Sequence, residues 1–301
     1  MASAEMTLGT AVERERHVSL FTHVKRHPMA IMGVGILAFL ALTAIVGPFI
    51  IPYDPQSIEF NSFMRPSLSH PFGTDLLGRD VLTRVIYGAR ISLGIGVAAT
   101  AIASIGGTLL GVFSAYFGGW VDYTLQRLIE VIMCLPNIIL LIVLAAVLGP
   151  SIRNVILILG VAAIPIMSRL VRSIVLSEKQ QPYIEAARSL GATNWRILFV
   201  HVLPSTFPLA AILASLSLGA FVLAEAGLSF LGLGVPVPNP SWGADMSGNA
   251  RSYFQQAPWL AIFPGLAISI TILGANLVGE AVRDIIDPFS QSWGGAGRAG
   301  R

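Results

Sequence analysis

Residues 91–117 read ISLGIGVAATAIASIGGTLLGVFSAYF, without a single Asp, Glu, Lys or Arg. Crossing about 30 Å of hydrocarbon takes roughly 20 helical residues at a rise of 1.5 Å each, so the run is long enough to span a bilayer. Small residues recur at every fourth position, at Ala99, Ala103, Gly107, Gly111, Ala115 and Gly119. On a helix that spacing draws a ridge along one face, and Gly107 with Gly111 is a GxxxG pair. The ridge reads as packing within this chain in preference to a contact with another subunit. The period-2 alternation of a barrel strand is absent.

Further apolar blocks of similar length occupy 30–51, 125–148, 155–176, 208–232 and 259–281. Over 301 residues the chain is 54% hydrophobic and 12% charged, against about 25% charged in a soluble domain. In lipid only helices and closed barrels satisfy their backbone groups, so the expected fold is all-α: a polytopic membrane bundle of about six transmembrane helices. The chain divides into a head at 1–28, a first helix plus outer loop at 29–90, a transmembrane core at 91–288 and a tail at 289–301. With both termini in the cytoplasm, 13 of the 19 Lys and Arg fall on inner segments, as the positive-inside rule requires. The head carries Glu13, Arg14, Glu15, Arg16, Lys25 and Arg26 and lacks the apolar core of a removed signal peptide. The lone Cys134 lies in an apolar block, where it is expected to pack.

The outer loop runs against the charge rule with Arg65, Arg79, Arg84 and Arg90. Asp75 precedes Arg79 and Asp80 precedes Arg84 by four residues, which predicts a salt-bridged helix at the outer surface, capped by Thr74 or Asp75 and buried through Leu76, Leu77, Val81, Leu82, Val85 and Ile86.

The longest inner loop, 177–207, is punctuated like a pair of short helices. Pro182 suits a first helical position and Gly191 a left-handed helix end; Thr193 or Asn194 caps a second helix, which Pro204 is expected to terminate. Ala186 and Ala187 leave a small-residue patch on the first arm. By itself this pattern fits equally an amphipathic connector on the lipid surface and a foothold gripped by a partner.

Glu185-Ala186-Ala187, then Gly191, then Leu203-Pro204 resembles the EAA motif of ATP-binding-cassette importer permeases, with His201 where the general pattern prefers Ile. Gly73-Thr74-Asp75-Leu76-Leu77-Gly78-Arg79-Asp80, Gly88-Ala89-Arg90-Ile91-Ser92-Leu93, Tyr116-Phe117-Gly118-Gly119, Leu223 to Gly232, Pro264-Gly265, Asn276 to Gly279 and Arg283 to Pro288 resemble, in order, the second permease subunit of dipeptide, oligopeptide and nickel importers. The likeness covers nearly the whole chain. It implies a type I importer fold in a bacterial inner membrane and a coupling loop at 177–207. It also implies a second homologous permease subunit, two cytoplasmic ATPases and an extracytoplasmic solute-binding protein delivering peptides. Which peptide, or instead glutathione or a nickel complex, is not written in this chain.

A phosphate-binding loop needs Lys directly after Gly. The only lysines, Lys25 and Lys179, follow Val24 and Glu178, so ATP and Mg are expected on a partner ATPase, with no cofactor bound here and no catalysis. His23 and His27 share a helical face, but beside Lys25 and Arg26 they read as a lipid-headgroup contact, and no metal site and no nucleic-acid partner are assigned. Glu130 and Glu225 fall inside predicted spans, where an ionisable group marks a pathway or, the preferred reading, a polar contact between helices. The alternative function is an ion-gradient-driven secondary transporter using either glutamate. It lacks an evident inverted repeat with broken midplane helices. An intramembrane enzyme ranks last, since no paired metal ligands or Gly-x-Ser-x-Gly turn is present.

Overall fold

The computed structural model describes residues 28–247 and 249–286; nearly all of the expected head, the tail and the His23/His27 pair lie outside them. The longer helices are α1 (Pro28–Ile50), α2 (Val81–Phe117), the pair α3 (Gly119–Met133) and α4 (Asn137–Leu148), α5 (Ile152–Glu178), α8 (Leu203–Phe230) and α11 (Trp259–Ile286). Between them lie the short helices α6 (Pro182–Ser189), α7 (Asn194–Ile197), α9 (Trp242–Met246) and α10 (Asn249–Ser252). Five helices are long and apolar enough to cross a membrane singly; α3 and α4, bent by 86° at the break between them, count as a sixth only if the pair is one broken span and not a re-entrant loop. Pro136 accounts for the bend, because the residue before a proline is pushed out of the helical region. Cys134, expected in the packed interior, instead caps the end of α3 at this bend and is exposed.

The small-residue ridge sets the closest helix contact, α2 against α5. Ala99, Ala103 and Ala115 are fully buried. A Cβ added at Gly111 would stand 2.5 Å from the Ser168 carbonyl and 3.0 Å from Val171 Cβ, so the two backbones touch there. Around this seam one apolar cluster joins Ile95, Ala99 and Ala103 to Val155, Ile158 and Leu159 of α5 and Phe221 of α8. Helix α11 packs on α8 and α1, closing the bundle.

At the end of the bundle where α2 begins, the structure corrects the expected surface helix. Gly73 and Gly78 adopt positive φ of 72° and 76°, and Gly78 abuts the Phe60 carbonyl where no side chain fits. Residues 73–80 therefore turn back, with an isolated bridge between Thr74 and Asp80. The Asp75 carboxylate accepts from the N–H groups of Leu77 and Arg79, both at 2.9 Å, within this turn. The Asp75–Arg79 ion pair forms, at 2.6 Å, but across a turn and not along a helix. The helix starts only at Val81, capped by Asp80, whose Oδ2 accepts from Thr83 N–H at 2.8 Å and its hydroxyl at 2.7 Å. From there α2 continues without a break for 37 residues, so surface helix and second span are one element.

The expected Asp80–Arg84 pair is absent. Asp80 meets His70 Nδ1 at 3.0 Å. Arg84 reaches across the chain to Asp245 of α9, its Nε donating at 2.9 Å and Nη2 pairing with the same oxygen, while Nη1 donates to the Pro55 carbonyl at 3.0 Å. Trp242 of α9 is 1% exposed and donates its indole N–H to the Val85 carbonyl at 2.9 Å. Residues 51–80 and 231–247 are thus drawn over this end by buried polar contacts.

Candidate coupling site and its supporting clusters

The opposite end, where α2 finishes, carries a hairpin made of α6 and α7. Pro182 occupies the first turn of α6, where its missing N–H costs nothing. Gly191, at φ +83°, closes the helix. The N–H of Ala192 donates to the Ala187 carbonyl and that of Gly191 to the Arg188 carbonyl, both at 3.0 Å, which is the paired-bond left-handed cap. Thr193 then caps α7, accepting from Arg196 N–H at 3.3 Å.

Pro204 does not terminate the second arm. A π-helical turn, Leu198–Val202, is closed by Leu203 N–H donating to the Leu198 carbonyl five residues back, and its wider backbone absorbs the proline. Residues from Asn194 to Phe230 therefore run as one spanning unit, directly joining hairpin to α8.

One face of the hairpin is locked to the bundle. Ile184 and Ile197 are fully buried among Val112, Tyr116, Val171 and Val175. The other face is open: Glu185 and Ala186 are exposed, and Leu190 is 88% exposed at the tip. Ala187 sits between the two faces. Leu203 and Pro204 lie at the root of the hairpin, where α8 begins.

Beneath the hairpin a charged cluster ties three helices together. Arg172 of α5 grips Asp122 of α3 with both ends of its fork, Nε at 2.8 Å and Nη2 at 2.6 Å. Ser114 of α2 donates its hydroxyl to the same carboxylate. Lys179, three residues before α6, donates to the carbonyls of Ala115 and Tyr116 at 2.9 and 2.8 Å, satisfying the C-terminal end of α2. Burial holds the Lys179 ammonium below the usual lysine value, and the neighbouring Arg188 charge pushes the same way against the pull of Asp122.

Residues 107–291 match the family described as the binding-protein-dependent transport system inner membrane component. The chain belongs to that family. Residues 20–70 match the N-terminal transmembrane domain of oligopeptide transport permease C. The permease is 39% identical over 273 residues to the dipeptide transport system permease protein DppC of Alkalihalophilus pseudofirmus, covering 90% of each chain. It is 42% identical over 266 residues to the glutathione transport system permease protein GsiD of Escherichia coli O157:H7, covering 88% of each. Among solved structures, the MetNI methionine ABC transporter shares the fold with a TM-score of 0.52 and 20% identity, over 68% of this chain and 98% of that one. The chain is a permease subunit of an ATP-binding-cassette importer and a multi-pass inner-membrane protein, a class that works with ATPase and binding-protein partners. Family membership sets aside the gradient-driven alternative.

The two glutamates expected within spans occupy different surroundings in the permease. Glu130 is half-buried and pairs with Arg127 on its own helix at 2.7 Å. Glu225 of α8 is 0% exposed. It accepts from Ser92 of α2 at 2.9 Å and Ser229 at 2.7 Å. Each serine oxygen is itself an acceptor, Ser229 from Val235 N–H at 3.0 Å and Ser92 from Trp242 N–H at 3.4 Å. One carboxylate thereby holds α2, α8 and the returning segment 231–242 in a single polar hub. The sequence marked Glu225 but not its partners, because Ser92 lies 133 positions away. Glu225→Gln keeps an acceptor in place and is expected to retain uptake, whereas Glu225→Leu strands both hydroxyls and is expected to cost about 1–3 kcal/mol. Uptake and thermal unfolding of the two variants check this; equal effects would remove the hub.

Proposed function

We propose that the permease forms half of a pathway for small peptides delivered by an extracytoplasmic solute-binding protein, with force entering from a separate ATPase through the α6–α7 hairpin. The observation that carries this reading is the two-sided hairpin: Ile184 and Ile197 are buried in the bundle, while Glu185, Ala186 and Leu190 face outward. A segment gripped on its open face moves α5 and α8 because it is continuous with both. The Lys179 and Asp122–Arg172 contacts extend the same push to α2 and α3. Small side chains at Ala186 and Ala187 let a partner surface approach the helix closely.

ATP and Mg belong to the ATPase on this reading, and the chain performs no catalysis. A peptide cargo is supported by the relatives, whose names give a dipeptide and glutathione, itself a small peptide. Both termini face the cytoplasm by the charge rule, which puts the hairpin on the ATPase side and residues 51–80 on the delivery side. The second permease subunit supplies the other half of the pathway.

Gly191→Val tests the docking surface. A β-branched residue at φ +83° is expected to cost roughly 1–2 kcal/mol, and no neighbour lies within 4 Å of a Cβ there, so the bundle itself is spared. The expected result is normal membrane insertion with ATPase co-purification and uptake reduced by about 5- to 30-fold. Normal co-purification together with normal uptake would refute the hairpin as the point of entry.

A further inference from the structure

An apolar groove of about 650 Å³ runs along the outside of α2 between α1 and α8, bordered by Leu37 and Phe49 of α1, Gly94 and Ala101 of α2 and Leu218 of α8, with Arg90 at one end. A Cβ built on Gly94 meets nothing within 4 Å, so the floor of the groove is open. Arg90 is exposed and, among the described residues, makes no hydrogen bond or ion pair. Asp54 borders the depression beside it, but that carboxylate accepts from Gln56 N–H at 2.7 Å and forms no ion pair with the guanidinium.

Arg90 is the last charge before the uncharged run 91–117, and that order fits a place near the boundary between headgroups and hydrocarbon. Measured at 1.5 Å per residue, α2 rises about 16 Å from Arg90 to Ala101 and α1 runs about 18 Å from Phe49 back to Leu37. One leaflet of hydrocarbon is about 15 Å deep, half of the ~30 Å core. The groove therefore has the length of a single acyl chain in one leaflet, with a cation at headgroup height. An unpaired arginine at that depth is costly unless an anion meets it, and its planar fork fits a phosphate.

We propose that this groove binds an anionic phospholipid, its phosphate on Arg90 and one acyl chain lying along α2 toward the midplane. The ligand is built into the seam between α1 and the rest of the bundle, and its loss separates the first helix from α2 along that seam.

The intact transporter, in bilayer discs of phosphatidylglycerol and phosphatidylcholine, is extracted into mild detergent and its retained lipids are weighed by native mass spectrometry. Arg90→Gln is expected to lower phosphatidylglycerol retention about fivefold, the ratio for one basic group at a headgroup, with phosphatidylcholine unchanged. Gly94→Leu fills the groove and is expected to displace both lipids, while Arg127→Gln, another exposed arginine, changes neither. Equal phosphatidylglycerol retention in Arg90→Gln and the unaltered protein overturns the proposal. So does loss of the second permease subunit in either groove variant, which makes the groove a subunit interface. A raised KM for peptide in Arg90→Gln with lipid retention intact also overturns it, since Arg90 then serves the cargo.

Discussion

Arg84→Met is expected to destabilise the permease by about 3–5 kcal/mol, the cost of leaving a buried charge without its partner. The Arg84 side chain is 7% exposed and that of Asp245 is 12% exposed. Asp245 Oδ2 has no hydrogen-bond partner among the described residues, so the carboxylate depends on the guanidinium acting through Oδ1. Removing the cation also frees the Pro55 carbonyl, which accepts from Nη1. The pair links the first turn of α2 to α9, so its loss loosens α9 from the start of α2 and leaves the Trp242 contacts to hold it. Replacing both charges tests the cause: Arg84→Met with Asp245→Asn is expected to recover much of the loss, because no uncompensated charge is left behind. Thermal unfolding in detergent measures both. If the single variant melts with the unaltered protein, or the double variant melts as low as the single, the pair does not hold this end together.

The spans were legible because lipid punishes charge locally. A run such as 91–117 has to be apolar wherever the rest of the chain goes, and the helix follows from backbone satisfaction alone. The hairpin was legible for a related reason. Pro182, Gly191 and Thr193 act on their own few residues, and the left-handed cap and the side-chain cap form where those residue types stand.

Pairings over distance were not legible. Spacing of four set Asp80 with Arg84, but a helix spacing only matters once a helix exists, and Gly73 and Gly78 turn the chain until Asp80. The partners that replaced it, His70 and Asp245, lie 10 and 161 positions away. Lys179 shows the same limit, since its acceptors are carbonyls of α2 that no side-chain pattern reveals. Pro136 and Pro204 show that a proline marks a place without deciding the outcome. The first gives an 86° bend, whereas the second is carried through a widened turn because Leu203 N–H finds an acceptor five residues back.

Gly111→Leu is expected to prevent stable assembly of the bundle. Its Cβ alone stands 2.5 Å from the Ser168 carbonyl, 3.0 Å from Val171 Cβ and 3.2 Å from Arg172 N. Two of these neighbours are backbone atoms of α5, which cannot swing aside as a side-chain tip does. Overpacking typically costs about 1–3 kcal/mol when side chains give way. Here α2 and α5 have to part, and with them goes the Asp122–Arg172 grip, which sits one turn further along α5. Gly35→Leu is the matched control, because that glycine is exposed in α1 with nothing within 4 Å of a built Cβ. The same side chain is therefore expected to be harmless in α1 and ruinous in α2, read as the yield of monodisperse transporter after solubilisation. Should Gly111→Leu assemble as well as Gly35→Leu, the close approach of α2 to α5 is not what packs this bundle.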